Sequence, residues 1–274
     1  FPPMWAFLCG WISAGPGTDL SGWSLLAGVI LTGPLVCGAS QIVNDWYDRD
    51  VDALNEPDRP IPSGRVPGTT AFWFAVVWTA IAQTWAILLG PWVAAATGLG
   101  LALAWAYSAP PLRLKMNGWW GNSAVAISYE GLAWITGAAI VIGGDLPAQP
   151  ILLIALLYSI GAHGIMTLND FKSVEGDLTM GIRSLPAQLG PTRAARVACL
   201  FMLLPQLIVI LLLVRWGLMP FALAVSLVVV AQLLAMRNLL RDPQQFAPWY
   251  NATGVSLYVL GMMAVAIGLG GWLM

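Results

Sequence analysis

The chain has 274 residues, of which 58% are apolar and only 9% are charged, and its mean hydropathy is +0.76. Soluble domains carry roughly 25% charged residues, and disordered chains combine high charge with few large apolar groups. Both classes are therefore excluded, and an integral membrane protein remains. The net charge of −1 gives no indication of nucleic-acid binding. The three cysteines form no CxxC pair, which argues against a zinc site or a disulfide framework.

Long uncharged runs separated by glycine and proline predict about nine transmembrane helices. The run between Val66 and Leu112 spans 47 residues and is long enough for two crossings of about 20 residues each. The runs are continuous, whereas strands of a membrane barrel are short and alternate in polarity. We therefore predict an all-α polytopic membrane protein. In chain order, its helices are expected near residues 2–14, 22–44, 70–89, 92–108, 120–143, 150–170, 193–214, 218–237 and 249–273.

Lysine and arginine are distributed unevenly along this helical pattern. Of the 12 such residues, 11 lie in the connections after the second, fourth, sixth and eighth helices or at adjoining helix ends, and only Arg215 lies on the opposite side. Because positive residues near membrane spans tend to remain in the cytoplasm, we expect these connections and the N-terminus to be cytoplasmic. Nine crossings then place the C-terminus outside.

The connection after the second predicted helix, residues 44–65, reads NDWYDRDVDALNEPDRPIPSGR. Asn44, Asp48 and Asp52 are spaced four residues apart, so a helix would place all three on one face. Oxygen-bearing side chains that converge in this way are stabilised by a hard cation, and Mg²⁺ prefers carboxylate and amide oxygens. We predict that these three residues are catalytic metal ligands.

The connection after the sixth predicted helix begins in the same way. Residues 169–186 read NDFKSVEGDLTMGIRSLP, and the Asn-Asp-aromatic triplet follows the first one by 125 residues. Internal repeats in membrane folds often place a site at their interface. On a helix, Asp170, Ser173 and Asp177 would share a face. Two acidic faces at one membrane surface predict two Mg²⁺ ions that clamp one diphosphate.

Four cations near these motifs are expected to neutralise the oxygens of a leaving diphosphate. Arg49 lies inside the first motif, and Arg183 lies just past the second aspartate of the other. Arg113 and Lys115 lie in YSAPPLRLKMNGWWGN, just after the fourth predicted helix. Arginines further from the motifs are better explained as topology signals.

The first motif, followed by RPIPSG and by a second aspartate-rich motif on a chain of about nine helices, resembles the UbiA superfamily of intramembrane prenyltransferases. YSAPPLRLKMNGWWGN, SYEGLAW and NDFKSVEGD are similar to the branch that esterifies chlorophyll pigments. Within that branch, FPPMWAF and SYEGLAW most resemble the members that act on bacteriochlorophyllide. The resemblance covers essentially the whole chain, so residues 1–274 are expected to form one domain.

This resemblance implies nine helices around a central cavity, with a cytoplasmic cap over its polar end. It implies that Mg²⁺ supports transfer of a geranylgeranyl or phytyl group from its diphosphate to the propionate of bacteriochlorophyllide, the last step of bacteriochlorophyll a biosynthesis. The implied location is the inner, photosynthetic membrane of a bacterium, where other membrane proteins of pigment biosynthesis are candidate partners. Chlorophyllide as acceptor, and a quinone or haem prenyltransferase, are the alternatives within the superfamily. A secondary transporter is the alternative outside it, although transporters usually bind their substrate near the bilayer midplane.

One departure from the family pattern concerns the second motif. Many relatives carry D-x3-D there, but in this chain Ser173 occupies the position four residues before Asp177. We therefore expect the second metal site to consist of Asp170 and Asp177, with Asn169 or Glu175 assisting.

Four further residues are candidates for contact with the pigment. Phe1 and Trp5 open the first helix, where contact with the macrocycle and simple packing are both open. Glu130 lies within an apolar span, where an unpartnered carboxylate is costly. It either hydrogen-bonds the macrocycle in its protonated form or packs against another helix. His163, the one histidine of the sequence, is either a ligand of the pigment's central Mg or, more commonly for such a residue, part of the core.

Overall fold

The computed structural model describes residues 2–15 and 22–273. Within these ranges the fold is all-α, and its one β-type contact is an isolated backbone bridge between Asn117 and Arg183. Two of the long helices contain a π-helical segment. In chain order the helices are α1 (Pro2–Ser13), α2 (Gly22–Ile30, then the π segment Leu31–Cys37, then Gly38–Asn55), α3 (Gly68–Leu89), α4 (Pro91–Ser108), α5 (Gly118–Ala126, then the π segment Ile127–Leu132, then Ala133–Val141), α6 (Gln149–Asn169), α7 (Val174–Thr179), α8 (Leu185–Leu189), α9 (Pro191–Arg215), α10 (Met219–Arg241) and α11 (Pro243–Trp272).

The predicted helices correspond to the long helices α1 to α6 and α9 to α11, and the all-α membrane fold is confirmed. Seven helices in the described ranges are long and apolar enough to cross a membrane. Helix α1, with 12 residues, and helix α4, with 18, are not among these seven. The number of nine crossings therefore stays a prediction.

Two helices extend further than their apolar runs predict. Helix α2 continues past residue 44 because its last segment, Gly38–Asn55, has neither proline nor an internal glycine. This extension carries the whole first acidic motif on a regular helix. Helix α11 begins at Pro243, before its apolar run, because the Asp242 carboxylate accepts a hydrogen bond of 3.1 Å from the Gln245 amide. Proline in the first turn and aspartate at the cap both favour a helix start.

The helices differ strongly in burial, with some in the interior of the bundle and others at its periphery, where membrane lipid would contact them. The most apolar windows of α5 and α6 are 67% and 72% buried, against 17% for α3 and 28% for α10. Glycines allow α1 to cross α5 at close range. A Cβ at Gly10 would lie 1.9 Å from the Trp134 carbonyl oxygen, and one at Gly137 would lie 2.0 Å from the Phe7 carbonyl oxygen. Small residues permit such contacts between membrane helices.

A cavity of about 340 Å³ lies between helices α1, α2, α4, α5 and α6. Small and apolar side chains form much of its wall, hydroxyl-bearing side chains are spread along it, and the amide and carboxylate groups of the motif region gather at one end. That end is formed by Asn44, Tyr107, Asn122, Asn169 and Asp170. The expected cavity is therefore present, and its polar end lies at the acidic motifs.

One buried polar contact joins α9 to α10 away from this cavity. The side chains of Gln206 and Gln232 are buried, and their amides donate to one another over 3.1 and 3.0 Å. The reciprocal bonds satisfy both amides where water is excluded, and contacts of this kind stabilise helix pairs in membranes.

Replacing Gln206 with leucine should lower the free energy of unfolding by about 1–3 kcal/mol, because the Gln232 amide is then buried without this partner. Leucine at both positions should cost less than the sum of the two single changes, since neither amide is then left unpaired. Thermal denaturation in detergent measures the three variants, with Gln245→Leu at an exposed position as the control. Strictly additive losses would contradict the coupling.

Candidate active site

The first motif presents two oxygens to one positive charge. Lys115 Nζ donates to Asn44 Oδ1 at 3.3 Å and also to Asp48 Oδ1. Ser108, the last residue of α4, donates to the same Asn44 oxygen at 3.1 Å. The shared helix face expected from the four-residue spacing is therefore present for Asn44 and Asp48.

Asp52 lies on the same helix and is paired with a different cation. Arg59 Nη1 donates to Asp52 Oδ2 at 2.9 Å and to Asp45 Oδ1 at 3.3 Å. Arg59 Nε also donates to Glu56. The chain turns back after α2 ends, so that Arg59 returns to the helix it has just left. The three predicted ligands of this motif thus divide between two cations.

The second motif does not continue the helix that precedes it. Helix α6 ends at Asn169, a 3₁₀ turn covers Asp170–Lys172, and Ser173 has the non-helical angles φ −113° and ψ 5° before α7 begins. The expectation that Asp170, Ser173 and Asp177 share one helix face is corrected here. The serine hydroxyl explains part of the difference, because it donates to the Asp170 carbonyl at 3.2 Å and so caps the turn.

Each acid of the second motif has its own partner. Asp170 Oδ2 accepts a hydrogen bond of 3.0 Å from Asn122 on α5. The Asp177 side chain is buried, and its Oδ2 lies 3.2 Å from the Ser173 hydroxyl, whose single hydrogen is shared between this carboxylate and the Asp170 carbonyl. Asn169 Oδ1 accepts from Asn251 on α11 at 2.6 Å. These bonds hold the second motif against α5 and α11.

The backbone connects the two cation-bearing loops across the polar end of the cavity. The Arg183 amide donates to the Met116 carbonyl at 3.0 Å, and the Gly118 amide donates to the Arg183 carbonyl at 2.8 Å. A Cβ at Gly118 would lie 2.6 Å from the Leu185 nitrogen, so only glycine fits this approach. The loop after α4 and the segment after α6 therefore form one cover, which corresponds to the cap that the family resemblance implies.

The four predicted diphosphate-binding cations are placed differently. Lys115 is largely buried beside Asp48, and burial lowers the pKa of its ammonium group while the bond to Asp48 opposes this shift. Arg113 Nη2 lies 3.9 Å from the same carboxylate oxygen. Arg183 contributes the backbone bridge of the cover. Arg49 instead lies over the Trp46 ring, 4.6 Å from its centroid, so the structure does not bring it to Asp48.

The donor set suits a hard divalent cation. Asn44 and Asp48 already direct oxygens at one positive centre, and carboxylate and amide oxygens are the groups that Mg²⁺ accepts. In the described part of the chain, no three side chains of the His, Cys, Asp and Glu types come together as a complete metal site. The residues therefore fit a metal that completes its coordination with ligand or water oxygens, as Mg²⁺ usually does.

Comparison with known proteins agrees with this geometry. The sequence model described as the UbiA prenyltransferase family matches residues 3–253. The chain belongs to the UbiA prenyltransferase family. It is 55% identical to the bacteriochlorophyll synthase 33 kDa chain of Cereibacter sphaeroides, over 99% of this chain and 89% of that protein. It is 37% identical to the chloroplastic chlorophyll synthase of Arabidopsis thaliana, over 97% of this chain and 71% of that protein.

A solved structure supports the fold. The UbiA homologue of Archaeoglobus fulgidus bound to GPP and Mg²⁺ covers 96% of each chain, with a TM-score of 0.70 and 18% sequence identity. The all-helical arrangement of this family member is therefore shared with a protein of distant sequence.

Of the residues considered for pigment contact, Trp5, Glu130 and His163 are not among those that line the 340 Å³ cavity. Phe1 is outside the described residues. Trp5 donates from Nε1 to the Val259 carbonyl at 3.1 Å and so fastens α1 to α11. Glu130 is buried on the π segment of α5, and its Oε2 has no hydrogen-bond partner among the described residues, so both interpretations stay predictions. His163 is buried next to two aromatic rings, with centroid separations of 5.7 Å from Trp119 and 4.4 Å from Phe201.

The motifs of this UbiA family member do not predict three of the polar residues that contact the site. Asn122, Asn251 and Ser108 hold Asp170, Asn169 and Asn44. The available signal is that Asn122 and Asn251 are amides within predicted membrane helices, where a polar side chain needs a partner.

Proposed function

We propose that this chain transfers a geranylgeranyl or phytyl group from its diphosphate to the propionate carboxylate of bacteriochlorophyllide. The observation that carries this proposal is the polar end of the cavity, where Asn44 and Asp170 face the same space and Lys115 joins the first motif. The relative that shares 55% of its residues is named a bacteriochlorophyll synthase, whereas the named chlorophyll synthase shares 37%. This difference favours bacteriochlorophyllide over chlorophyllide.

The two acidic motifs would hold the diphosphate at the polar end of the cavity. Asn44, Asp48 and Asp52 would bind one Mg²⁺ ion, and Asp170 with Asp177 would bind a second. Bound Mg²⁺ supplies positive charge that stabilises the oxygens of a leaving group. Lys115 and Arg113 supply further charge where negative charge grows as the bond to the prenyl carbon breaks.

The reaction needs one bond to break and one to form. The bond between C1 of the prenyl group and the diphosphate oxygen breaks, and the diphosphate leaves with the electron pair. A carboxylate oxygen of the acceptor then forms the new ester bond to C1. The small and apolar side chains of the wall limit the water that reaches the allylic cation before the acceptor does, and aromatic rings such as Tyr107 at the polar end stabilise positive charge on their faces.

No protein base is required for the acceptor. A carboxyl group with a pKa near 4 is ionised at neutral pH and is already a nucleophile. We therefore expect turnover to vary little between about pH 6 and 8. A steep dependence assigned to one protein side chain in this range would overturn this part of the mechanism.

The orientation of the chain follows from its charges. The cation-bearing connections after α2, α4, α6 and α10 would face the cytoplasm, so that the diphosphate arrives from the cytosolic side. The membrane would be the inner, photosynthetic membrane of a bacterium, with the C-terminus in the periplasm.

Incubation of membranes that contain this chain with geranylgeranyl diphosphate and bacteriochlorophyllide should yield the pigment ester, detected by chromatography and mass. Removal of divalent ions with EDTA should abolish the product, and added Mg²⁺ should restore it. Chlorophyllide in place of bacteriochlorophyllide tests the acceptor, and we expect a lower kcat/KM for it. Absence of any ester with either acceptor would refute the proposed function.

A further inference from the structure

The end of the cavity opposite the acidic motifs is lined by three threonines. Thr32 on α2, Thr97 on α4 and Thr136 on α5 all line the cavity, although the three are far apart in the sequence. All three side chains are buried. We call this set the threonine floor.

Helix geometry places the three threonines at about the same depth. The bond between Ser108 and Asn44 fixes one level of α4 and α2 at the polar end. Thr97 precedes Ser108 by 11 residues, and Thr32 precedes Asn44 by 12 residues. At a rise of about 1.5 Å per residue, Thr97 lies about 17 Å below that level. Thr32 lies at a similar depth, somewhat less than 12 regular α-helical residues would span, because the segment Leu31–Cys37 is π-helical.

Contacts between helices confirm this alignment for α5. A Cβ at Gly28 would lie 3.0 Å from Ile140 Cδ1, so the turn of α2 below Thr32 meets the turn of α5 below Thr136. A Cβ at Gly100 would lie 3.7 Å from Leu132 Cδ1, which pairs α4 and α5 one turn above the floor.

Beneath the floor the molecule is closed. The same Cβ position at Gly28 lies 2.2 Å from Phe7 Cζ, and Phe7 is fully buried. Phe7 and Ile140 belong to one cluster of buried apolar side chains with Leu31 and Val93. A chain that reaches the threonine floor therefore meets a packed core.

Two of the three threonines of the floor can contact an apolar chain without losing hydrogen bonds. The Thr32 hydroxyl donates to the Gly28 carbonyl at 2.9 Å, and the Thr136 hydroxyl donates to the Leu132 carbonyl at 2.8 Å. Because these two hydroxyl hydrogens are used within their own helices, an apolar ligand end leaves no unpaired donor at Thr32 or Thr136.

We infer that the threonine floor sets the length of the prenyl chain at about four isoprene units, an inference that rests on the proposed function. Three backbone bonds of a trans peptide span 3.8 Å, or about 1.3 Å per bond, so the roughly 15 bonds along four isoprene units extend to about 19 Å. This length matches the distance from the polar end to the floor. A cavity of about 340 Å³ is also near the lower end of the range for small-molecule sites, as expected for a site that encloses one chain.

Gly100 provides the sharpest test. It lines the cavity without a side chain, and it precedes Ser108 by eight residues on α4, which places it about 12 Å below Ser108. Gly100→Leu should fill the deep part and leave space for about two isoprene units, whereas Thr97→Leu should remove only the last. The matched control is Gly98→Leu on the same helix, because a Cβ there points at Gln83, 3.3 Å away, and not into the cavity.

Ester formation is measured for each variant with prenyl diphosphates of two, three, four and five isoprene units and a fixed acceptor. In the unaltered chain, kcat/KM should be highest with four units and should fall with five. Gly100→Leu should lower the ratio of kcat/KM for four units to that for two units by at least about 100-fold, and Thr97→Leu should shift the maximum to three units. Gly98→Leu should keep the original preference.

The outcomes separate this inference from the proposed function. No ester with any chain length would refute the proposed function itself. Ester formation with an unchanged length preference in folded Gly100→Leu and Thr97→Leu variants would overturn the threonine floor alone. If Gly100→Leu does not fold, Gly100→Ala replaces it as the test, because it adds one methyl group at van der Waals distance from Leu132. A preference of Gly100→Ala for four units equal to that of the unaltered chain would then overturn the inference.

Discussion

Replacing Asp48 with asparagine should lower the rate of ester formation by about 10²–10³-fold, comparable to the loss of one strong electrostatic group in other active sites. Asp48 Oδ1 contacts Lys115 and lies 3.9 Å from Arg113, so this carboxylate organises the cations of the polar end and is a proposed Mg²⁺ ligand. The neutral amide keeps the shape of the side chain but loses its charge. Product formed per minute at saturating substrates, together with the Mg²⁺ concentration for half-maximal rate, measures the effect.

The matched control is Asp50→Asn on the same helix. Its side chain is exposed and contacts only Arg49 in the described residues, at 3.7 Å, so we expect rates within twofold of the unaltered chain. Equal losses in the two variants would mean that general acidity of the segment matters and the position of Asp48 does not. A folded Asp48→Asn variant with full activity would remove the first motif from the proposed chemistry.

The helices of this protein are predictable because the apolar composition that a membrane helix requires is a local property of the sequence. Each apolar run corresponds to a long helix, and the spacing of Asn44 and Asp48 correctly predicts a shared face. The ends of α2 and α11 are less predictable, because a polar extension such as Gly38–Asn55 carries no hydropathy signal. Its continuation depends on the absence of helix breakers and on a partner, Lys115, that comes from another part of the chain.

Those residues of the candidate site that lie close together in the sequence are predictable, whereas their partners from distant segments are not. The motif residues follow from their spacing, but the pairing of Asp52 with Arg59 depends on the turn after α2. Asp170 is held by Asn122, 48 residues earlier in the chain. Such a partner depends on how α5 packs beside α6, which spacing within one motif does not encode. The same limit explains Glu130: the sequence shows a costly buried carboxyl group, and only the packing shows that it lies outside the cavity wall.

Lys115→Ala should lower kcat/KM for the prenyl diphosphate by at least about 100-fold. Its ammonium group is the cation that both Asn44 and Asp48 contact, and its side chain is only 11% exposed. In such a buried position, solvent screens a charge weakly, so its loss should weaken neutralisation of the leaving diphosphate as the bond to C1 breaks. Steady-state rates at varied diphosphate concentration separate a loss of kcat from a rise in KM, and the proposed role requires a lower kcat.

Lys172→Ala is the matched control, because Lys172 lies within the second motif but is exposed to solvent. We expect its kcat/KM to stay within twofold of the unaltered chain. Lys115→Arg distinguishes charge from geometry, since arginine keeps the positive charge but replaces a compact ammonium by a planar fork. Partial recovery of kcat by arginine would support a role in neutralising charge. A rise in KM with unchanged kcat for Lys115→Ala would show instead that this lysine binds the ground state and transition state equally.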